Sequence, residues 1–512
     1  MPKSKTGRAL LIFGILLLLG GVFYGLSDSK TKHDLENFKR EWEAKGERFD
    51  FKDFIPPPVP DDQNFALTPI VATSYEWVLD KQGHELKPHR TNFVERIRME
   101  KYAPDEIGRD YLYTNQDLHL EGNWAEGQLT DLKEWQQYYR AMSAITNLFA
   151  VPPQPQSPAA DVLLALSKYD SPIEELRSAS RLTNSRFPLN YDAAPFQVFL
   201  MHLAYLRNCV ETLQLRASAE LANGQSQNAL ENINLSLRLL DSTRSEPSLI
   251  THLIRVRMIN SVIQPIWEGL KNHEWSDLQL VELDKKLSEL DFLADYAFAM
   301  RSARATLIAA IEEMRRHRDL FKYSDMPYSA HNNFKPLPWL VFYLAPSSVY
   351  YHVELDYLKQ YPNWVLPIMN VEQRIVVPSL TTNFEIAVDE FEKYRSPHNF
   401  FAIFMGSVGY PARKFAFAQS SIDLARTACA LEQYHLVHGE FPETLSALAP
   451  QFIAQVPHDI IGGLPLHYRR TADGKFLLYS VGWNEKDDGG VVVHREGFSS
   501  VDDNRSDWVW RN

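Results

Sequence analysis

The chain has 512 residues, of which 45% are hydrophobic and 12% aromatic, and its formal net charge at pH 7 is −12. This length predicts two or more folded units, and the apolar content excludes a mainly disordered chain. The negative charge argues against nucleic-acid binding, which needs a basic surface. The two cysteines, Cys209 and Cys429, exclude a zinc cluster or a disulfide framework. Two buried free thiols are favoured over a single bridge.

Residues 1–27 are predicted to form a membrane anchor. Lys3, Lys5 and Arg8 precede an uncharged apolar run over residues 9–26. As a helix this run covers about 27 Å, enough for a hydrocarbon core. The basic tip is expected in the cytoplasm and the rest of the chain outside it. A cleaved signal peptide is the alternative, but residues 23–27 are a poor cleavage site.

Residues 28–125 are predicted to contain a charged helix, a Pro-rich linker and an irregular segment. Residues 28–47 are strongly charged and have little apolar periodicity, which is typical of a solvated helix. Four prolines between Phe54 and Pro60 impose an extended conformation, because each proline fixes φ and lacks a donor. A stiff spacer is favoured here over a docking motif.

Residues 126–410 are predicted to form a helical body. Aromatic and apolar residues recur at three- and four-residue steps in its first helix, at Trp135, Tyr138, Tyr139, Met142, Ile145 and Leu148. Ser157 and Pro158 indicate a helix start, and further helices are expected over 197–222, 225–240 and 248–270. Gly224 indicates one hairpin of tetratricopeptide type. We therefore expect a helical bundle or an irregular solenoid.

The end of this body, residues 320–412, is rich in aromatic residues and prolines. The apolar stretch 337–349 is too short to span a bilayer and is interrupted by Pro338 and Pro346. We expect it to be buried against the helical body, and contact with a membrane surface or a partner is the alternative. The stretch 400–405 has the same two interpretations.

Residues 411–512 are predicted to form a small α+β domain, so the fold class is mainly α with an antiparallel hairpin near the end. A helix over 411–437 carries an apolar stripe and ends at Gly439, and a short helix follows over 443–448. Strands are expected at 466–469 and 475–479. Asp473 and Gly474 between them predict a type I′ turn. An acidic, glycine-containing loop then leads to Trp508.

This order of elements resembles the periplasmic head of the major pseudopilin of type II secretion systems. The resemblance covers about the last hundred residues and rests on the long helix, the loop from Tyr479 to Gly490 and the closing block from Asp502 to Trp508. It implies a location in the bacterial inner membrane, with the bulk of the chain in the periplasm. The N-terminus lacks the glutamate that pseudopilins carry in their hydrophobic run. We therefore expect a pseudopilin-like head on a different membrane-anchored body.

In that family the loop after the hairpin binds calcium, and a crowded acidic loop is a chemically suitable site for this ion. The resemblance implies main-chain ligands at Leu478 and Ser480. It implies side-chain ligands among six residues, Asn484, Asp487, Asp488, Asp502, Asp503 and Asp507. Asn484 stands where the family has an aspartate, which should weaken the affinity. A solvated acidic loop held by Trp483 and Trp508 is the alternative.

Other catalytic signatures are absent from the sequence: it contains no GxSxG, HExxH, GxxxxGKS or GxGxxG pattern. Glu432, His435 and His438 share one helix face, but a solvated or capping role near the helix end is favoured over a metal site. His202 and His252 lie among apolar residues and are predicted to be core histidines.

Two functions from different classes follow. The first is a non-enzymatic envelope protein whose calcium-stabilised head and helical body bind protein partners, as in a secretion or pilus-like assembly. The second is an envelope-anchored hydrolase with a cleft in the helical body, which would need convergent polar side chains between helices.

Overall fold

The computed structural model describes residues 28–72, 77–79, 85–88, 96–115, 118–191, 200–318, 345–381, 409–494, 502 and 505–512. It is mainly helical with small antiparallel sheets, which confirms the predicted fold class at that level. Among the helices it describes, none is both long and apolar enough to cross a lipid bilayer. The predicted anchor over residues 9–26 lies outside the described residues, as do the stretches 400–405 and most of 337–349.

The first part of the chain contains five helices of nine or more residues among those that the structure describes. They are α1 over residues 28–44, α2 Asp105–Thr114, α3 Leu132–Thr146, α4 Pro158–Leu166 and α5 Asp170–Ala179. The predicted start of α4 is confirmed, because the Ser157 hydroxyl accepts a hydrogen bond from the Ala160 N–H at 3.2 Å. The aromatic residues of α3 and Met142 are buried as the periodicity predicts, but Ile145 and Leu148, which were assigned to the same face, are 60% and 42% exposed because they lie where the helix ends.

The central helices are α6 Met201–Ala222, α7 Ser226–Asp241, α8 Leu249–Lys271, α9 Asp277–Ser288, α10 Phe292–Arg316 and α11 Ser347–Trp364. The predicted hairpin is present, because Gly224 has a φ of 72° and turns the chain from α6 into α7. Helix α6 packs against α7 and α8. The thiols of Cys209 and Cys429 are both free and buried, as expected.

The strands form three antiparallel sheets within the described residues. Strand β1 Trp77–Leu79 pairs with β2 Glu85–Pro88, and β3 Met369–Asn370 pairs with β4 Ile375–Val376. The third sheet has the order β5 His467–Arg470, β6 Phe476–Ser480, β7 Trp508–Arg511. The predicted hairpin is therefore confirmed, and a third strand is added to it.

The turn between β5 and β6 differs from the predicted type I′. Gly474 has a φ of 80°, but Asp473 is not in the left-handed region, which a type I′ turn requires of both central residues. Instead, the Gly474 N–H donates to the Thr471 carbonyl at 3.1 Å, and the Asp473 carboxylate accepts the Thr471 hydroxyl. The side chain of Asp473 is thus used to close the turn.

The last long helix is α12 Gly409–His438, and each of its ends lies within two residues of the predicted position. It ends at Gly439, whose φ is 76°. The sequence predicts one apolar stripe, but the helix is buried on all faces over residues 415–433, with consecutive buried residues from Phe415 to Ile422 apart from Phe417. Its two ends are exposed, at Tyr410 and at residues 436–438. Helices α8, α9 and α10 surround it together with strands β6 and β7. Residues on both sides of position 411 therefore belong to one hydrophobic core.

The charged N-terminal helix α1 is not fully solvated. Leu35 is buried in the same core, and the ammonium of Lys39 contacts the buried carboxylate of Glu354 on α11. Just beyond α1, the Glu47 carboxylate accepts hydrogen bonds from Arg301 at 3.0 Å and Arg304 at 2.6 Å, both on α10. The long charged side chains of this segment thus make ion pairs with the body.

A buried ion pair joins α8 to α10. The Arg255 guanidinium donates to one oxygen of Asp295 at 2.8 and 3.1 Å, and His252 Nδ1 lies 3.8 Å from the same oxygen. Burial alone would raise the pKa of Asp295, but Arg255 and His252 together outweigh it and lower the pKa to about 2. His252 is fully buried, as the sequence predicts.

We expect this pair to make stability depend on pH. Because the folded-state pKa of Asp295 lies below its ordinary value of 3.8, its stabilisation is complete above that value and is lost as the pH falls toward 2. Asp295→Asn should therefore lower the free energy of unfolding by about 2 kcal/mol at pH 7. Urea unfolding between pH 7 and pH 2.5 should show this gap closing below pH 4. The exposed Asp53→Asn variant is the control, and an equal pH dependence in both variants would contradict the assignment.

Candidate functional site

The residues predicted to bind calcium lie on β6 and in the loop between β6 and β7. Leu478 and Ser480 belong to β6, the central strand of its sheet. The main chain of Leu478 pairs with Tyr468 on one side and Trp510 on the other. The hydroxyl of the fully buried Ser480 donates to the Asp459 carboxylate at 2.8 Å. Ser480 also pairs with Trp508 of β7, so both residues are engaged within the sheet.

Asp507 lies at the centre of the loop and is 1% exposed. Its carboxylate accepts backbone N–H groups from Gly490 at 2.7 Å, Val491 at 3.2 Å and Asp488 at 3.4 Å. Burial raises the pKa of Asp507, and these three hydrogen bonds oppose that rise. The loop therefore wraps its main-chain donors around this carboxylate.

The other acidic residues of the loop also have protein partners. Asp487 accepts the Tyr479 hydroxyl and the Gly489 N–H, each at 2.9 Å. Asp488 accepts the Asn484 amide at 2.8 Å. In the closing block, the N–H of Asp502 donates to the Val493 carbonyl. Asp503 lies outside the described residues.

The loop thus brings Asn484, Asp487, Asp488 and Asp507 together. Among the described residues, however, no three of its carboxylates come within 4.8 Å of one another. The calcium site stays a prediction, and hydrogen bonds provide a second means of stabilising the acidic loop. The sequence did not indicate Asp459, a buried carboxylate that also accepts the N–H groups of Ile461 and Val481, both at 2.9 Å.

A polar cleft of about 440 Å³ lies in the helical body, between the segment 101–125 and helices α6 and α8. We call it the α6–α8 cleft. One wall carries Lys101, which is 5% exposed. Its ammonium lies 2.6 Å from the Glu121 carboxylate and 3.4 Å from the Gln214 carbonyl. It also lies over the rings of Tyr102 and Trp135, at 5.7 Å from each centroid.

Tyr102 completes this wall, since its hydroxyl donates to the same Glu121 oxygen. Burial and the neighbouring Glu121 carboxylate raise the pKa of Tyr102. The phenol therefore stays protonated and acts as a hydrogen-bond donor at neutral pH. Lys101, Tyr102 and Glu121 form a compact polar group at the edge of the cleft.

A second wall of the cleft consists of side chains from α6 and α8. The Arg257 guanidinium donates to one oxygen of Glu211 through Nε at 2.9 Å, and its Nη2 lies 2.8 Å from that oxygen. The arginine side chain is 62% exposed, while that of Glu211 is 16% exposed. The buried Oδ1 atom of Asn260, also in the lining, has no hydrogen-bond partner. The two walls together carry two positive and two negative groups.

The base of the cleft is aromatic and fixed in place. The rings of Trp124 and Phe417 stack with centroids 5.7 Å apart. Gln264 holds the Trp124 loop, because its carbonyl accepts the Trp124 N–H at 2.7 Å and its amide donates to the Gln128 carbonyl at 3.0 Å. The space at Gly122 suits only glycine, since a Cβ there would come within 2.7 Å of the Thr130 backbone nitrogen as well as 2.2 Å of the Gln264 amide nitrogen.

One sequence signal could have revealed this cleft. On α8, a polar stripe at helical spacing runs through a largely apolar helix, with Arg257, Asn260, Ser261 and Gln264 at positions i, i+3, i+4 and i+7. Glu211 and Gln214 have the same spacing on α6. No comparable local pattern indicates Lys101. It contacts Gln214, which lies more than a hundred positions away in the sequence.

Comparison with protein-family models, curated proteins and solved structures finds no match to this chain. The resemblance of residues 411–512 to a pseudopilin head therefore stays a prediction from the sequence.

The hydrogen bonds of Asp507 generate a test of the loop. Asp507→Asn replaces an acceptor by an amide N–H₂ group facing N–H donors, so we expect the free energy of unfolding to fall by about 1–3 kcal/mol. Unfolding of the full chain should be measured in calcium and in EGTA. An equal loss in both solutions supports the hydrogen-bonded loop, whereas a wild-type melting temperature that falls in EGTA supports the calcium prediction. In EGTA, Asp488→Asn, at an exposed position, should change stability by less than about 0.5 kcal/mol.

Proposed function

We propose that this chain is a non-enzymatic binding protein of the bacterial envelope. Residues 9–26 anchor it in the inner membrane, and the periplasmic body receives a polar segment of a protein partner in the α6–α8 cleft. The observation that carries this proposal is the lining itself, which combines charges of both signs with an aromatic base in a space of about 440 Å³. This volume lies within the range of small-molecule binding sites.

The composition of the lining favours a protein segment as the ligand. Tyrosine, tryptophan and arginine are the residues that contribute most to protein interfaces. Arg257 is exposed and paired with Glu211, so a partner carboxylate can share its guanidinium without leaving Glu211 uncompensated. On the other wall, Glu121 is 43% exposed and accessible to a partner cation.

The hydrolase alternative has less support. A hydrolase of the serine class needs a nucleophile beside a base. Ser261 lines the cleft, but its hydroxyl donates to the Arg257 carbonyl of its own helix at 3.4 Å. Tyr102 is a protonated donor, and Lys101 is held by Glu121. These contacts suit the binding of a polar ligand better than acid–base chemistry.

The fold favours a rigid binding body. Helix α12 joins the C-terminal sheet to α8, α9 and α10 in one core, so the predicted head and body should move as one unit. The pseudopilin resemblance favours partners that belong to a secretion or pilus-like assembly. Calcium in the loop after β6 would add stability to this unit without contributing to the cleft.

A photo-crosslinking residue at position 261 of the full chain tests the proposal in intact cells. We expect a discrete adduct with one protein, and a much weaker one from position 288, at the exposed end of α9. Arg257→Glu should reduce the adduct roughly tenfold, because it places a repulsive charge beside Glu211. The matched charge reversal Lys286→Glu, on α9 and outside the lining, should leave it unchanged. Equal adducts from positions 261 and 288, or an adduct insensitive to Arg257→Glu, would contradict the proposal.

A further inference from the structure

A second group of polar side chains lies at the far end of α12, outside the α6–α8 cleft. Glu432 and His435 are three residues apart on the last turns of this helix, so they share one face. His273 reaches them from the turn between α8 and α9. Its Nδ1 atom lies 2.7 Å from the Glu432 carboxylate. One ligand atom from each of the three residues lies within 4.8 Å of the other two.

The burial of these residues differs in a way that suits a metal centre. The Glu432 side chain is 3% exposed, while that of His273 is 46% exposed. A buried carboxylate is costly unless a cation compensates it. The exposed His273 side leaves solvent access, so an ion held by the three residues would keep a coordination position for water.

His435 lies between two rings and lacks a partner for one nitrogen. Its ring stacks on Phe441, with centroids 4.7 Å apart, and on His273, with centroids 5.1 Å apart. Its Nδ1 atom is buried without a hydrogen-bond partner. Buried polar atoms are paired in most proteins, so an imidazole held only by stacking is one that a further ligand can engage.

The backbone at His273 adds an independent observation. Its φ is +55°, at the position after the end of α8 where glycine is the least strained residue. Histidine, like asparagine and aspartate, adopts this conformation more often than other non-glycine residues do. Here the turn directs an imidazole onto Glu432.

From these observations we propose that His273, Glu432 and His435 form a binding site for a divalent transition-metal ion of the zinc class. Two imidazoles and one carboxylate with an open fourth position are the ligand set of exposed zinc sites. The two nitrogen ligands exclude a calcium-type site, because calcium takes oxygen ligands. Tetrahedral ligands of zinc stand about 3.3 Å apart. The widest of the three separations therefore needs to close by at most about 1.5 Å. The His273–Glu432 pair, whose hydrogen bond is 2.7 Å long, needs no closing, and that bond is replaced by bonds to the ion.

The other role of these residues is structural. A histidine in the last turn can stabilise the negative end of the helix dipole, and the His273–Glu432 contact can act as an ordinary ion pair. His438 represents this role, since its ring stacks on Tyr434 and its Nδ1 lies 2.9 Å from the carbonyl of that residue. It lies one turn beyond the cluster and does not join it, which makes it a matched control.

The test is a titration of the purified, chelator-treated full chain with Zn²⁺ by calorimetry and with Co²⁺ by visible absorption. We expect one ion per chain and, for Co²⁺, absorption bands of a low-coordinate nitrogen–oxygen site. His435→Phe keeps both stacked rings but removes the ligand nitrogens. Glu432→Gln keeps the hydrogen bond to His273 but removes the charge. Each should weaken Zn²⁺ binding at least about tenfold, as loss of a ligand does more than loss of a supporting contact.

The control His438→Phe makes the same exchange one turn away and should bind Zn²⁺ like the wild type. His273→Asn tests the third ligand with a residue that tolerates positive φ, so its fold is preserved. Circular dichroism checks that each variant is folded. If His435→Phe does not fold, the Zn²⁺ affinity of Glu432→Gln decides the test. Unchanged Zn²⁺ affinity in folded Glu432→Gln or His435→Phe, or a wild-type chain without a stoichiometric site, would overturn the proposal.

Discussion

The burial of α12 on all its faces is the constraint on which the rest of the structure depends. Between Phe415 and Gln433 this helix lies in the interior, where its buried polar side chains need hydrogen-bond partners. Asp423 shows how this is achieved, because its carboxylate accepts the Gln419 amide at 3.1 Å and Arg374 at 3.2 Å. Burial nevertheless raises the pKa of Asp423, with Arg374 opposing the rise.

The same side chains attach the surrounding helices to α12. The Gln419 carbonyl accepts the Phe292 N–H at the start of α10, at 2.8 Å. Arg426 donates to Asp284 of α9 at 2.8 Å. Because these bonds lie in a low-dielectric interior, losing one partner costs more than the bond contributes when intact. Polar pairs of this kind therefore favour one arrangement of α9 and α10 around α12. Other arrangements that bury a similar apolar area would leave these polar groups without partners.

Local features of the sequence predict local features of the structure. Glycines at 224 and 439 mark helix ends because a positive φ is inexpensive there, and both helices end at them. The prediction of one apolar face on α12 is wrong because polar residues such as Ser420 and Ser421 are not expected in the interior. They are buried all the same, since small side chains let neighbouring helices approach closely. Hydrophobic periodicity detects a difference in polarity between the buried and the exposed face of a helix. A helix surrounded by other helices has no exposed face and therefore no such difference.

The candidate sites were harder to predict, because both join distant parts of the chain. Lys101 meets Gln214, and His273 meets Glu432, across 113 and 159 positions of sequence. One part of each site is recognisable in the sequence from its helical spacing: the polar stripe on α8, and the pair Glu432 and His435 on α12. The other half is supplied by a loop whose position depends on tertiary packing, which no periodicity encodes.

Helix α12 contributes to both sites, with Phe417 in the base of the α6–α8 cleft and Glu432 in the proposed metal site. Fifteen residues of helix separate them, or about 22 Å. Coupling over such a distance requires an element with two discrete arrangements. A helix enclosed on all sides by packed neighbours offers one arrangement, since shifting it would break the contacts of Gln419, Asp423 and Arg426 together. The two sites should therefore act independently: saturating Zn²⁺ should leave crosslinking at position 261 unchanged, and a change would show that α12 moves within its core.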